Sequence, residues 1–373
     1  MACRKDMIMV LTINDDINYG NRLQNYALVQ LLNEYSKCET ANLLVGDHGI
    51  ANFNELIDFC IKSLKIRVKL FLFSLNRRFL SLDNIYYTNC ISFTHKFVPD
   101  KFMLISEYVK IHWRRIKRVE RVVIGSDQVW NYRWLFNNDL ALRLGAFVPE
   151  SVPIISYAAS FGVSQIPDDV KPLFQQYLPH FKAISVREDR GKELIKEMTG
   201  LNATVVLDPT LMLDSERWSN ITRGFVADDD CYVLTYFLGE PSAAQERTIQ
   251  KYAHANGCRV RRIRDLRDTE TYIAGPQDFV ELFSKARYVF TDSYHACCFS
   301  ILFHKQFTVF NRAGMEGNSN MNSRMETLFR LFDLDTVVMD DGVAPKIDYR
   351  QVERLLRRHR AESRSWLDTA VGV

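Results

Sequence analysis

What this sequence lacks removes several classes of function at the outset. No run approaches the ~18 uninterrupted apolar residues of a membrane-crossing helix, so no transmembrane segment is expected. The first nine residues carry Arg4, Lys5 and Asp6 and pass straight into a strand-like segment, with no apolar stretch leading to a cleavage site, so no secretion signal is read there. Charge of one sign is also missing: 48 Lys and Arg face 45 Asp and Glu, a formal net charge of +3. A dedicated nucleic-acid binder concentrates a strong basic excess, so nucleic acid is not an expected partner. The eight cysteines, at positions 3, 38, 60, 90, 231, 258, 297 and 298, form no C-x-x-C pair and no cluster at zinc-ligand spacing. They read as the reduced thiols of a cytoplasmic protein. No internal repeat or low-complexity tract occurs, and no G-x-G-x-x-G follows the first strand, so the dinucleotide fingerprint is absent.

What remains is ordinary soluble composition, with 47% hydrophobic and 25% charged residues in 373 positions. At roughly 100 to 200 residues per domain, this length predicts two domains. Short apolar runs at Ile8–Ile13, Val122–Ile124, Ile154–Tyr157, Ala183–Val186 and Val205–Leu207 each end in polar or glycine residues, and most are separated by stretches of helical periodicity. A second series follows the polar stretch 218–230: strand Cys231–Leu238, helix Ala243–Ala255, strand Arg259–Ile263, helix Gln277–Lys285, strand Tyr288–Thr291, a helix from about Ser293, and strand Phe307–Phe310. Alternation of this kind is the mark of parallel sheets covered by helices. The expected organisation is an N-terminal α/β domain over 1–215, a C-terminal α/β domain over 216–345, and a final helical segment, 346–373, packing back on the first.

One stretch breaks the rhythm. Between 61 and 80 there are six basic residues and no acidic one, around Leu70-Phe71-Leu72-Phe73. This pattern fits either an ordinary surface helix or a peripheral contact with an anionic membrane surface.

Four segments carry chemistry. In Tyr288–Phe303 an apolar strand turns through Thr291-Asp292-Ser293 into an apolar helix, with Ser293 placed as the cap and His295 in the first turn. Beyond the carboxyl end of a strand in an open α/β sheet, a helix start offers N–H groups to an anion, and an imidazole there can donate to it or move a proton. Arg187 follows the strand Ala183–Val186, where its guanidinium can fork to a carboxylate or phosphate, or pair with Glu188 or Asp189. Gly125-Ser126-Asp127-Gln128, with Trp130 nearby, sets polar groups beside an aromatic face, a pairing suited to a sugar but equally to a capped helix with a core tryptophan. The segment from Asn14 to Leu28, with Asp16 and Asn18, follows the first strand, a usual ligand position in such sheets. Leu207-Asp208-Pro209-Thr210 reads only as a turn, and Arg324, in Asn322–Leu328, starts a helix and points either into the same cleft or to solvent.

In their order, N-Y-G-x-x-L-Q-x-Y-A-L, V-I-G-S-D-Q-V-W-N, S-Y-A-A-S-F-G, I-S-V-R-E, L-D-P-T, T-D-S-Y-H and S-R-M resemble the polysaccharide pyruvyl transferase family from near Asn18 to about Leu334. The resemblance implies two Rossmann-like domains facing a cleft in a glycosyltransferase-B-like fold, with the acceptor on the N-terminal side and the donor on the C-terminal side. It implies phosphoenolpyruvate as donor and, as acceptor, a sugar diol of a surface polysaccharide such as a capsule or exopolysaccharide, or of its lipid-linked repeat, with no further cofactor and no metal. Donor binding falls to Arg187, Ser293 and Arg324. Where better-described members have an arginine two residues before the histidine, this chain has Ser293. Acceptor binding is expected of Asp16, Asn18, Ser126, Gln128 and Trp130. His295 and Asp127 are the expected acid and base, with Asp16 in reserve. Two other functions fit the same architecture: a nucleotide-sugar glycosyltransferase and a non-catalytic carbohydrate-binding relative.

Overall fold

A computed structural model describes residues 7–13, 15, 17–44, 81–104, 119–135, 137–311 and 323–372. Asp16 and the basic stretch 61–80 lie outside the described residues.

The chain alternates strand and helix through β1 (Met7–Leu11), α1 (Tyr19–Leu32), β2 (Lys37–Leu44), α2 (Leu82–Phe97), β3 (Asp100–Leu104) and β4 (Val119–Ile124). It continues with α3 (Asn137–Arg143), β5 (Ile154–Ala159), α4 (Lys171–Tyr177), β6 (Phe181–Val186), α5 (Asp189–Thr199) and β7 (Thr204–Val205). These strands form one seven-stranded sheet in the order β3-β2-β1-β4-β5-β6-β7, and every pairing is parallel. Two short helices, α6 (Pro209–Met212) and α7 (Ser215–Ser219), lead into the second series: β8 (Tyr232–Tyr236), α8 (Ala243–Ala255), β9 (Arg259–Ile263), α9 (Thr269–Tyr272), α10 (Pro276–Lys285), β10 (Tyr288–Thr291), α11 (Tyr294–Leu302), β11 (Gln306–Phe310), α12 (Ser323–Phe332) and β12 (Val338–Met339). Their sheet is again parallel, in the order β12-β11-β10-β8-β9. A last helix, α13 (Tyr349–Val371), closes the chain.

Local chemistry explains these elements. β1 and β8 are apolar along their length and buried on both faces, as a central strand covered by helices must be. α8 opens with a capping box, in which Ser242 accepts from the Gln245 N–H and the Gln245 side chain accepts from the Ser242 N–H. α10 has Pro276 in its first turn, where the missing N–H costs nothing, and Asp278 reaches back to the Gly275 N–H at 2.8 Å. α13 ends on Gly372 at φ +85°, a left-handed conformation that lets the chain leave the last turn without a Cβ clash.

A single apolar cluster runs through both halves, from Ile8, Val10 and Leu23 by way of Trp218 to Phe279, Val289 and Phe299. Tyr19, at the start of α1, stacks on Phe279 of α10 with ring centroids 4.8 Å apart, and its hydroxyl donates to the Ala274 carbonyl at 2.5 Å. α13 straddles the two sheets. Near its start the Tyr349 hydroxyl donates to the Ser300 carbonyl, and further along Ser363 accepts from the Leu207 N–H at 2.9 Å. At its end Arg121 of β4 donates to the carbonyls of Ala370 and Val371, both at 2.7 Å. Among the described residues no helix is long and apolar enough to cross a membrane.

Because Phe279 is fully buried at the seam between the sheets, Phe279→Ala is expected to lower unfolding free energy by about 3 to 5 kcal/mol. Urea denaturation followed by tryptophan emission should show one earlier but still cooperative transition. An unchanged midpoint, or a second-sheet transition separating from the first, would contradict a shared core.

Candidate active site

The carboxyl ends of both sheets open on one cavity of about 910 Å³. Asn18 reaches it from the turn after β1 and Gly20 from the first turn of α1, Asp127 and Gln128 from the turn after β4, Asp292 and Ser293 from the turn after β10, Tyr294 and His295 from the first turn of α11, and Arg324 from the first turn of α12. This is where ligands of open α/β sheets sit, because strand ends and helix starts leave backbone groups unpaired there.

Behind the wall lies a buried charge cluster centred on Arg187, which is 2% exposed. One guanidinium nitrogen donates to Asp208 at 2.7 Å and another to Asp127 at 2.8 Å, while the Tyr294 ring lies over the guanidinium carbon at 4.3 Å. Asp208 is fixed in turn by the N–H and hydroxyl of Thr210, at 3.0 and 2.7 Å. Asp127 holds a left-handed backbone, φ +62°, and its carbonyl accepts from the N–H groups of Val129 and Ser160. Burial alone would raise the Asp127 carboxyl, but the charges of Arg187, His295 and Arg324 and the Arg187 hydrogen bond outweigh it and hold it at about 2.

His295 and Arg324 face the cavity from this cluster. The His295 Nε2 is buried without a hydrogen-bond partner, 3.8 Å from the nearer Asp208 oxygen. Burial pushes the imidazole below its ordinary 6.5, against the pull of Asp208 and Asp127 and with the push of Arg187 and Arg324, which favours its neutral form. Arg324 stands 3.9 Å from Asp127, a long contact, and its Nε has no partner. Gly20 makes room for the imidazole: a Cβ there would lie 2.0 Å from the His295 Nδ1.

The residues expected from the sequence divide accordingly. His295, Asp127, Ser293, Arg324, Asn18 and Gln128 line the cavity. Arg187, expected to touch a donor, lies behind the wall because two carboxylates occupy its fork. Ser293 stands at the cap position of α11 and lines the cavity, and its side chain makes no capping bond. Ser126 is fully buried, bonded through its hydroxyl to Gln24 and through its carbonyl to Thr12 at 3.1 Å, so it holds α1 to β4 instead of meeting a sugar. Trp130 is likewise core: its ring packs against Phe161 and Phe181, and its Nε1 donates to the Arg143 carbonyl at 3.2 Å. Asp127 remains ionised far below neutrality, which leaves it little proton affinity for work as a base. Asp16 lies outside the described residues.

Sequence reading passed over Asp208, which looked like a plain turn before proline, and Glu188. The fully buried Glu188 carboxylate accepts from the Ser160 hydroxyl and the N–H groups of Phe161 and Gly162, fixing the turn after β5. Both stand in motifs that carry the family resemblance, I-S-V-R-E and L-D-P-T, but local sequence does not show that their side chains are buried.

Two parallel sheets with their carboxyl ends on a shared cavity define a glycosyltransferase-B fold. At a TM-score of 0.50 and 10% identity, the chain is similar to the solved structure of a putative UDP-N-acetylglucosamine 2-epimerase from Listeria monocytogenes, over 97% of this chain and 91% of that one. It also matches an ADP-heptose heptosyltransferase II from E. coli at a TM-score of 0.42 and 11% identity, covering 95% and 99% of the two chains. The chain belongs to the polysaccharide pyruvyl transferase family, whose sequence model matches residues 18–314. No curated protein matches it.

Replacing Arg187 with Ala would leave two buried carboxylates unpaired, and a loss of about 3 to 5 kcal/mol in urea-derived stability is expected. Stability that depends on the depressed Asp127 carboxyl, worth about 2 kcal/mol, is present above about pH 4 and is lost as pH falls towards 2. Unfolding midpoints measured from pH 2 to 5 should therefore drop more steeply in wild type than in Asp127→Asn. Equal slopes would contradict the pairing.

Proposed function

We propose that the chain transfers the pyruvyl unit of phosphoenolpyruvate to two hydroxyls of a sugar, closing a cyclic ketal in a surface polysaccharide or its lipid-linked repeat. One observation carries this reading beyond family membership: two nitrogens without protein partners, the Nε2 of His295 and the Nε of Arg324, sit beside the open start of α11. A compact anion bearing phosphate and carboxylate groups supplies an acceptor for the Arg324 nitrogen, and the Nε2 of the neutral imidazole is free to accept the proton of a hydroxyl. Arg324 is the cation available to it, since Arg187 is already neutralised by two carboxylates.

The chemistry follows from the neutral imidazole. His295 takes the proton of an attacking hydroxyl, and Asp208, 3.8 Å away, stabilises the imidazolium that results. The imidazolium passes that proton to the methylene carbon, which becomes a methyl group as the hydroxyl oxygen bonds to C2 and the enol double bond is consumed, returning His295 to its neutral form. The second hydroxyl then displaces phosphate, which departs with the second proton, so both hydroxyl protons are accounted for. Arg187 and Asp127 act through position: they fix Tyr294 and Arg324 around the donor. Gln128 and Asn18, on the first-sheet side, meet the acceptor hydroxyls. The protein works where its substrates are, in the cytoplasm or at the inner membrane face.

Incubation with phosphoenolpyruvate and a saccharide panel, scored by mass, tests the reading. A product heavier by one pyruvic acid less water is expected, with release of phosphate; no such product, with a hexosyl residue added instead in a parallel incubation with nucleotide sugars, would replace the reading with glycosyl transfer. His295→Ala should lower kcat by about 100 to 10,000-fold with the melting temperature unchanged, and Gly20→Ala should do likewise by driving the imidazole from its place. Turnover near wild type in both variants would remove His295 from the chemistry.

A further inference from the structure

Trp134 is 68% exposed, although tryptophan is among the most thoroughly buried side chains on average, and it lines the cavity. Its exposure is built in by the backbone. Residues Tyr132–Trp134 form a 3-10 turn in which the Asn131 side chain accepts from the Arg133 N–H at 3.1 Å and the Asn131 carbonyl accepts from the Trp134 N–H at 3.2 Å. The same Asn131 donates through its Nδ2 to the Gln128 Oε1 at 2.6 Å, tying the turn to a second cavity-lining residue. With its oxygen engaged, Gln128 keeps its amide N–H groups for a ligand. An exposed indole on a backbone held by Asn131, beside the Gln128 amide, is the surface a pyranose requires, since its C–H face is apolar and its rim is hydroxylated.

We infer that Trp134 is the stacking platform for a sugar ring of the acceptor, with the Gln128 amide donating to a ring hydroxyl, and that this pair determines acceptor selection. The inference rests on the pyruvyl-transfer reading for the identity of the acceptor. The occupant is a saccharide and not a prenyl or acyl chain, because the cavity wall from the same turn is Gln128 and Asp127, polar groups that a hydrocarbon would desolvate without compensation. Trp130, four residues earlier, cannot serve, being sealed in the core.

The test compares wild type, Trp134→Ala and Trp134→Phe. Binding of a library of water-soluble oligosaccharides is read without donor by saturation-transfer NMR, and binding of phosphoenolpyruvate is read separately by calorimetry. Sugars that take up saturation in wild type should bind about 10-fold more weakly in Trp134→Ala and within about three-fold in Trp134→Phe, while phosphoenolpyruvate affinity stays the same in all three. Undiminished saccharide binding in Trp134→Ala overturns the platform, as does wild-type binding to no water-soluble member of the library. Saccharide binding lost in Trp134→Ala, with no phosphoenolpyruvate binding by any protein, leaves the platform standing and removes the donor reading instead.

Discussion

The site depends on Arg187 being caught between Asp127 and Asp208. A guanidinium is suited to this because its planar fork reaches two carboxylates at once and keeps its charge when buried. The three residues come from the ends of β4, β6 and β7, so the ion cluster ties three strand ends together at the edge where the cavity begins. It also sets the local electrostatics. Two carboxylates on one guanidinium leave excess negative charge, which draws Arg324 in and tempers the burial penalty on His295. The result is a buried imidazole and a second cation side by side at a helix start.

That arrangement works only because the two sheets are held at a fixed separation. The residues lining the cavity come from both: Gly20, Asp127 and Gln128 from the first, Ser293, His295 and Arg324 from the second. A continuous apolar core, the stacked Tyr19 and Phe279, and α13 anchored on both halves keep the two rims in register. The absence of a side chain at Gly20 is where this register meets the chemistry, since the first turn of α1 abuts the imidazole ring.

Much of this was legible in the sequence. The strands that alternate cleanly with helices, β1, β4 to β6 and all but the last of the second sheet, were read close to their observed bounds because apolar runs ended in turn formers. β2 and β3 were not, since Lys37, Glu39 and Asn42 interrupt the apolar pattern of one and Asp100 and Lys101 begin the other, at and next to the sheet edge. Two-residue β12 is too short to leave a pattern. At the site, motif order placed His295, Ser293 and Arg324 on the second-sheet side, but it could not tell which polar residues face inward. Ser126 and Arg187 look like ligand contacts until their long-range partners, Gln24 and Asp208, are known. The same limit exchanged two tryptophans: periodicity does not say that Trp130 turns into the core while Trp134 turns out.

The proposed function puts a small anionic donor at the start of α11 and a saccharide on the opposite wall. A crystal structure with phosphoenolpyruvate bound tests this most directly. The account predicts the donor within hydrogen-bond distance of the His295 Nε2 and the Arg324 guanidinium, with Arg187 still paired to both carboxylates. A donor lodged beyond reach of His295, or an Arg187 swung out to grip it, would contradict the account.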